Sequence, residues 1–195
     1  HQTGSHARLV PNAPAWERGA VGSRSNLPDI KGGKWVAVEI LEIQAGHDHD
    51  ICNIIKKVGE EFGAIGEGYG PSDAEVVEMS AHYGDQNGSL YLVASMDGSI
   101  VGGCGVAPFS GSNQTCELRK LFLLKEVRGL GIGKELVARC LAYASQKGYK
   151  ECYLDTLSGM TSAISLYEKF GFQHLDRPLE GVFHSGCDVW MLKKL

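Results

Sequence analysis

Arg128-Gly129-Leu130-Gly131-Ile132-Gly133 is the stretch whose reading decides the fold. The apolar run Leu121-Phe122-Leu123-Leu124 before it reads as a strand. Residues 134–147 after it read as a helix, with Leu136, Val137, Cys140, Leu141 and Ala144 on one face. A glycine-rich turn at a helix start suits a pyrophosphate. The N–H groups of the first helical turn have no intrahelical partner. The helix dipole favours an anion there, and glycine puts no Cβ in the ligand's way.

Spacing separates the possible owners of such a cradle. A Walker loop requires G-x-x-x-x-G-K-[S/T]. Counting back from Gly133-Lys134, Arg128 stands at the first glycine, and Glu135 replaces the hydroxyl residue. A dinucleotide fingerprint requires G-x-G-x-x-G. Gly129, Gly131 and Gly133 give a shorter last interval, after strands that read as hairpins.

Upstream, residues 34–43 read as a strand. Ile51, Ile54, Ile55, Val58 and Phe62 recur at helical spacing, with Asp48 or Asp50 as N-cap. Gly63, Gly66, Gly68, Gly70 and Pro71 break that helix, and Ser72 or Asp73 caps a second short one through Met79 and Tyr83. Residues 90–94 and 99–106 form a hairpin about Asp97-Gly98. Gly102, Gly103 and Gly105 leave room against that face. Residues 116–124 lead into the glycine turn.

Downstream, Gly148 ends the helix and residues 151–154 form a strand. Ala163, Leu166, Tyr167 and Phe170 share a helix face that stops at Gly171. Residues 172–175 and 188–192 supply the last strands. The order is α+β, an antiparallel meander followed by a β-α-β unit, in a single domain over 34–195. Residues 1–33, with Pro11, Pro14, Pro28 and a cloning-like Gly4-Ser5-His6, read as a leader that is vector-derived or poorly packed.

The 195 residues are 43% hydrophobic and 22% charged, ordinary for a globular chain. A net charge of −4 argues against nucleic acid as a partner. No apolar run approaches the roughly 18–20 residues that cross a bilayer, which argues against a membrane partner. The six cysteines lie singly, without a C-x-x-C pair, so reduced thiols and a cytoplasmic location are expected. His47-Asp48-His49-Asp50 reads as a solvated helix start, and no metal site is expected.

The arrangement resembles the GCN5-related N-acetyltransferase (GNAT) superfamily. Arg128, Gly131 and Gly133 match its R/Q-x-x-G-x-G/A turn. Ala163, Leu166, Tyr167, Gly171 and Phe172 match its A-x-x-L-Y-x-x-x-G-F segment. The resemblance covers roughly residues 34–195. It implies a mixed, mainly antiparallel twisted sheet flanked by helices, and acetyl-CoA as co-substrate. It also implies that Leu121, Phe122 and Leu123, the turn Arg128, Gly129, Leu130, Gly131, Ile132, Gly133 and Lys134, and Thr161 and Ser162 bind that co-substrate. Met160 stands where the superfamily often has Asn.

Acetyl transfer to an amine needs a base for the ammonium, stabilisation of the thioester oxygen and a proton for the departing thiolate. The resemblance places Glu117 as base and Tyr167 as acid, with a backbone N–H near Leu123 for the oxyanion. Strand alternation sets Glu117, Arg119, Leu121 and Leu123 on one face, and Cys116, Leu118, Lys120 and Phe122 on the other. A covalent role for Cys116 is thereby disfavoured. Arg119, Glu61, Tyr69 and His184 are candidates for acceptor binding, with Glu60, Glu67, Ser185 and Asp188 nearby in sequence. The expected function is acetyl transfer to a small primary amine or amino acid in a ternary complex. A non-catalytic acetyl-CoA sensor and a protein N-acetyltransferase are the alternatives, and a homodimer is compatible with each.

Overall fold

Two inner strands of the sheet are covered on both faces, and their sequences are apolar almost throughout. Leu90–Met96 is buried at every position but the last, and Ser99–Pro108 is buried over its middle seven residues. The computed structural model describes residues 25–28 and 35–195. Its sheet runs β1-β2-β3-β4-β5-β6-β8-β7. These strands are β1 Ser25–Pro28, β2 Trp35–Glu42, β3 Leu90–Met96, β4 Ser99–Pro108, β5 Thr115–Leu123, β6 Glu151–Thr156, β7 Gln173–Leu175 and β8 Val189–Lys194. The β5–β6 pair is parallel and every other neighbouring pair is antiparallel. The mixed, mainly antiparallel sheet expected from sequence is the sheet observed. Four residues of the expected leader, Ser25–Pro28, pair with Trp35–Val38. The remainder of residues 1–33 lies outside the described residues.

Among the described residues four α-helices flank the sheet: α1 Asp48–Glu61, α2 Met79–His82, α3 Ile132–Gln146 and α4 Thr161–Lys169. The apolar stripe of α1, Ile51, Ile54, Ile55 and Val58, packs on one face with Met79, Tyr83, Tyr91 and Phe122. On the other face, α3 buries Leu136, Val137, Cys140 and Ala144 against Leu118, Cys116 and Leu154, beside Tyr167 and Phe172. Helix α1 begins with His47 as N-cap, one residue before the expected Asp48. The Asp48 carboxylate instead accepts from Ser80 N–H and Oγ at 2.8 and 2.6 Å, tying α1 to α2. The second helix predicted from Ser72 or Asp73 is mostly two 3₁₀ segments, Gly70–Ser72 and Ala74–Glu78, and only Met79–His82 is α-helical. Asp73 makes no side-chain cap, because its carboxylate is engaged elsewhere.

One irregularity governs the site. Opposite Gly103 and Gly105, which are two positions apart on β4, β5 places Phe122 and Arg119, three apart. The extra residue is a β-bulge, and Lys120 sits in it with φ +51°, a costly value for a non-glycine residue. The bulge reverses the expected alternation. Leu121 and Leu123 join Cys116 and Leu118 on the α3 face, while Phe122 lies with α1. Glu117 and Arg119 therefore do not share a face with Leu121 and Leu123. The room predicted at the β4 glycines is filled, at Gly102 by Leu123 and Phe122 and at Gly103 and Gly105 by Tyr91. A Cβ at Gly103 would stand 2.6 Å, and one at Gly105 2.5 Å, from its ring. The buried Tyr91 hydroxyl donates to the Lys120 carbonyl at 2.9 Å, holding the bulge in place.

Candidate active site

Strands β5 and β6 pair over Thr115↔Glu151, Cys116↔Cys152 and Glu117↔Tyr153. Beyond Glu117, β5 stays with β4 through Leu123, and β6 stays with β8 through Thr156. The strands diverge just where the bulge bends β5. A cavity opens between them, lined by Glu117, Leu118, Lys120, Phe122, Asp155, Met160, Tyr167 and His184.

Glu117 is 6% exposed and accepts a 2.7 Å hydrogen bond from Arg119 Nε. Burial raises its carboxyl above the usual 4.5, against the opposing charge of Arg119. Tyr167 is also 6% exposed, edge-on to Phe172 at 5.9 Å. Burial pushes its hydroxyl up, so it keeps its proton at neutral pH. A buried carboxyl and a protonated phenol thus line the same cavity.

A second cavity, of about 360 Å³, adjoins Glu117. Arg119, His82, Phe109, Phe183 and His184 line it. Two loops meet across it. His184 joins Asp73 through Nε2 at 3.0 Å and Asp155 through Nδ1 at 3.1 Å. Asp73 also accepts from Lys120 Nζ at 2.8 Å, and Lys120 reaches Glu75 at 2.6 Å. Farther along the late loop, Gly186 N–H donates to Gly68 O at 3.1 Å, and Gly181 O accepts from Ser110 Oγ at 2.9 Å. The late loop is a strap fastened at both ends.

The hydrogen bonds to Asp155 and Asp73 push His184 up to about 10, so the ring is a cation at neutral pH. Its stabilising contribution is complete below the ordinary 6.5 and is lost as pH rises through about 10. His184→Gln is therefore expected to lower Tm near pH 6, by roughly 2–4 °C for each kcal/mol lost in a chain of this size, and by progressively less toward pH 10. Thermal melts of both proteins across that range check this. A pH-independent difference would assign the loss to packing instead.

At the other end of β5, Gly131 is the N-cap of α3 with φ +85°, and Gly129 has φ +79°. A Cβ on either would meet nothing within 4 Å. The outer surface of the turn is open to a ligand, as an anion cradle requires. Gly133 lies inside, where a Cβ would stand 3.2 Å from Leu123 Cδ1. Arg128 is not directed at this cradle. It forks onto Glu61 at 2.6 and 2.8 Å, donates to Leu123 O at 3.0 Å and stacks over Phe62. Glu61, expected near the acceptor, thus sits beside Arg128 of the glycine turn and lines neither cavity at Glu117.

Of the other expected residues, Arg119, Tyr69 and His184 line the central cavity, as do Leu121 and Phe122. Leu123 and Leu130 pack against the core, and Ile132 is buried within it. Lys134, Thr161 and Ser162 are exposed at the starts of α3 and α4. Met160, in the place of the usual Asn, lines the cavity and accepts from Thr156 Oγ1 at 3.4 Å. Sequence reasoning missed Asp73, Glu75, Lys120 and Asp155. A lysine inside an apolar strand was the available signal, since its charge had to meet carboxylates from somewhere. All six cysteines are free thiols, and all but Cys187 are buried. Among the described residues, no helix is long and apolar enough to cross a membrane.

The comparisons with known proteins agree with this geometry. The model of the acetyltransferase (GNAT) family matches residues 57–172. The uncharacterized N-acetyltransferase YjgM of Escherichia coli is 38% identical over 147 residues, covering 74% of this chain and 87% of that protein. N-acetylaspartate synthetase of Rattus norvegicus is 32% identical over 101 residues, 52% of this chain but 33% of that protein. The fold is shared with the PaiA N-acetyltransferase of Thermoplasma acidophilum in complex with coenzyme A. The TM-score is 0.66 at 22% identity, over 81% of this chain and 99% of that one. With a bulged β5, a parting from β6 and a glycine turn opening α3, this chain belongs to the GNAT family of acetyltransferases.

Proposed function

We propose that this chain transfers the acetyl group of acetyl-CoA to a primary amine of a small molecule or amino acid, by direct attack in a ternary complex. The observation that carries the reading is the placement of Glu117 and Tyr167 on one cavity between β5 and β6. The open glycine turn supports binding of the pyrophosphate, and the solved relative bound to coenzyme A is consistent with it. The first-turn N–H groups at Ile132, Gly133 and Lys134 hold the phosphates.

The acceptor arrives as an ammonium and gives one proton to Glu117. The freed amine attacks the thioester carbonyl carbon. The N–C bond forms, and the tetrahedral oxygen is met by a backbone N–H of β5 near Leu123. As the C–S bond breaks, Tyr167 protonates the sulfur, and the second proton of the nitrogen restores Tyr167. Glu117 releases its proton to solvent. The products are the amide, free CoA thiol and one proton.

A cavity of about 360 Å³ beneath a fastened strap suits a small acceptor better than a peptide. Arg119, beside Glu117, suits an acceptor that carries a carboxylate. The partial relative named for acetylaspartate synthesis fits that class. Thiol release from acetyl-CoA across amino acids, simple amines and peptides tests the reading, and turnover of peptides alone would overturn it. Tyr167→Phe is expected to lower kcat by about 10–10²-fold with little change in either KM. An unchanged kcat would remove Tyr167 from the chemistry.

A further inference from the structure

Asp155 is the one member of the site whose bonding is incomplete in a telling way. Its side chain is 7% exposed. Oδ1 takes His184 and Cys187 at 3.1 and 3.5 Å. Oδ2 is buried and has no hydrogen-bond partner among the described residues. A buried carboxylate oxygen without a donor is costly, and such groups persist where a ligand completes them. The residue lines the cavity shared by Glu117 and Tyr167. Ligand atoms of Glu117, Asp155 and His184 lie within 4.8 Å of one another.

The charges around this point are uneven. Carboxylates of Asp73, Glu75, Glu117 and Asp155 face the cations Arg119, Lys120 and His184, four against three. One further cation balances the set. If that cation is the ammonium of an acceptor with no carboxylate of its own, its proton passes to Glu117 and leaves three carboxylates against three cations, so the site is balanced on both sides of the transfer. We infer that Asp155 Oδ2 is the receptor for the acceptor's ammonium group, fixing its nitrogen between Asp155 and Glu117 before the proton is removed. This deepens the acetyl-transfer reading and rests on it for the identity of the cation as a reacting amine.

A divalent metal is a weaker occupant. Both ring nitrogens of His184 already bond carboxylates, and Glu117 is held by Arg119. A metal would have to strip those bonds, whereas an ammonium needs only oxygen acceptors.

The test is calorimetry with two matched probes, 2-phenylethylamine and 2-phenylethanol, in the presence of CoA. Their aromatic end suits Phe109 and Phe183 in the adjoining cavity of about 360 Å³, which shares Glu117, Arg119 and His184 with the cavity that Asp155 lines. Wild type is expected to bind the amine at least about tenfold tighter than the alcohol. In Asp155→Asn that preference is expected to fall to about twofold or less, with CoA affinity unchanged. Equal wild-type binding of the two probes overturns the inference, and this comparison stands even if the variant does not fold. An amine preference that survives Asp155→Asn also overturns it, as does saturable zinc binding to wild type that displaces the amine. A site that prefers the amine in a protein that turns over no amine would sink the acetyl-transfer reading while leaving the ammonium subsite in place.

Discussion

Glu117→Gln is expected to lower kcat/KM for an amine acceptor by about 10²- to 10⁴-fold, the usual worth of a positioned general base. The substitution preserves volume and leaves an oxygen for the 2.7 Å hydrogen bond from Arg119 Nε. The cavity shape should therefore survive, and the loss should fall on proton removal rather than on binding. On the proposed reading acetyl-CoA is held at the glycine turn beyond the other end of β5, so its affinity should hold within about twofold. Raising the pH restores the variant only in part. A larger fraction of the free acceptor is then neutral, but an acceptor that enters as the ammonium still has no base. Steady-state kinetics with both substrates varied separate these effects. A comparable loss in acetyl-CoA affinity would mean that the cavity itself had been disturbed.

The second large effect lies at the glycine turn. Gly131→Val is expected to weaken CoA binding on the order of 10²-fold, the worth of losing a pair of charge-assisted hydrogen bonds. Two causes combine. A β-branched residue resists φ +85° and shifts the first turn of α3. Its side chain also enters the open space outside the turn. Strain alone should cost about 1–2 kcal/mol of stability. Gly148→Val isolates that part. Gly148 follows the other end of the same helix with φ +88° and open space around it, but lies away from the cradle. It should lose the same stability and keep CoA affinity. Calorimetry and thermal melts on the two variants distinguish strain from blocked binding, and equal affinity losses would contradict the cradle.

Much of this architecture is legible in local pattern. The helical spacing of Leu136, Val137, Cys140 and Ala144 places α3 correctly, and Asp97-Gly98 does turn β3 into β4. Glu117 and Tyr167 come from segments far apart in sequence; the resemblance, not local pattern, singles them out, and both line one cavity. The clearest failure is the alternation of β5. A bulge has no period, and nothing local announces that Lys120 will adopt φ +51°. Its cause is tertiary, since Tyr91 fills the space at Gly103 and Gly105 and bonds the Lys120 carbonyl. The side chain of Arg128 is a different case. The motif locates its backbone, but its guanidinium pairs with Glu61, which only the packing of α1 supplies. The network of Asp73, Lys120, Asp155 and His184 joins four separate segments, and no spacing rule anticipates such a meeting.

The pH dependence of kcat/KM, measured for wild type and Glu117→Gln with one acceptor, tests the central assignment most directly. Burial raises the Glu117 carboxyl above 4.5, so wild-type activity should fall as pH drops through that raised value, where the base becomes protonated. The variant, with nothing to protonate at that position, should lose this acid limb along with most of its rate. The same acid limb in both proteins, at comparable rates, would show that Glu117 is not the base.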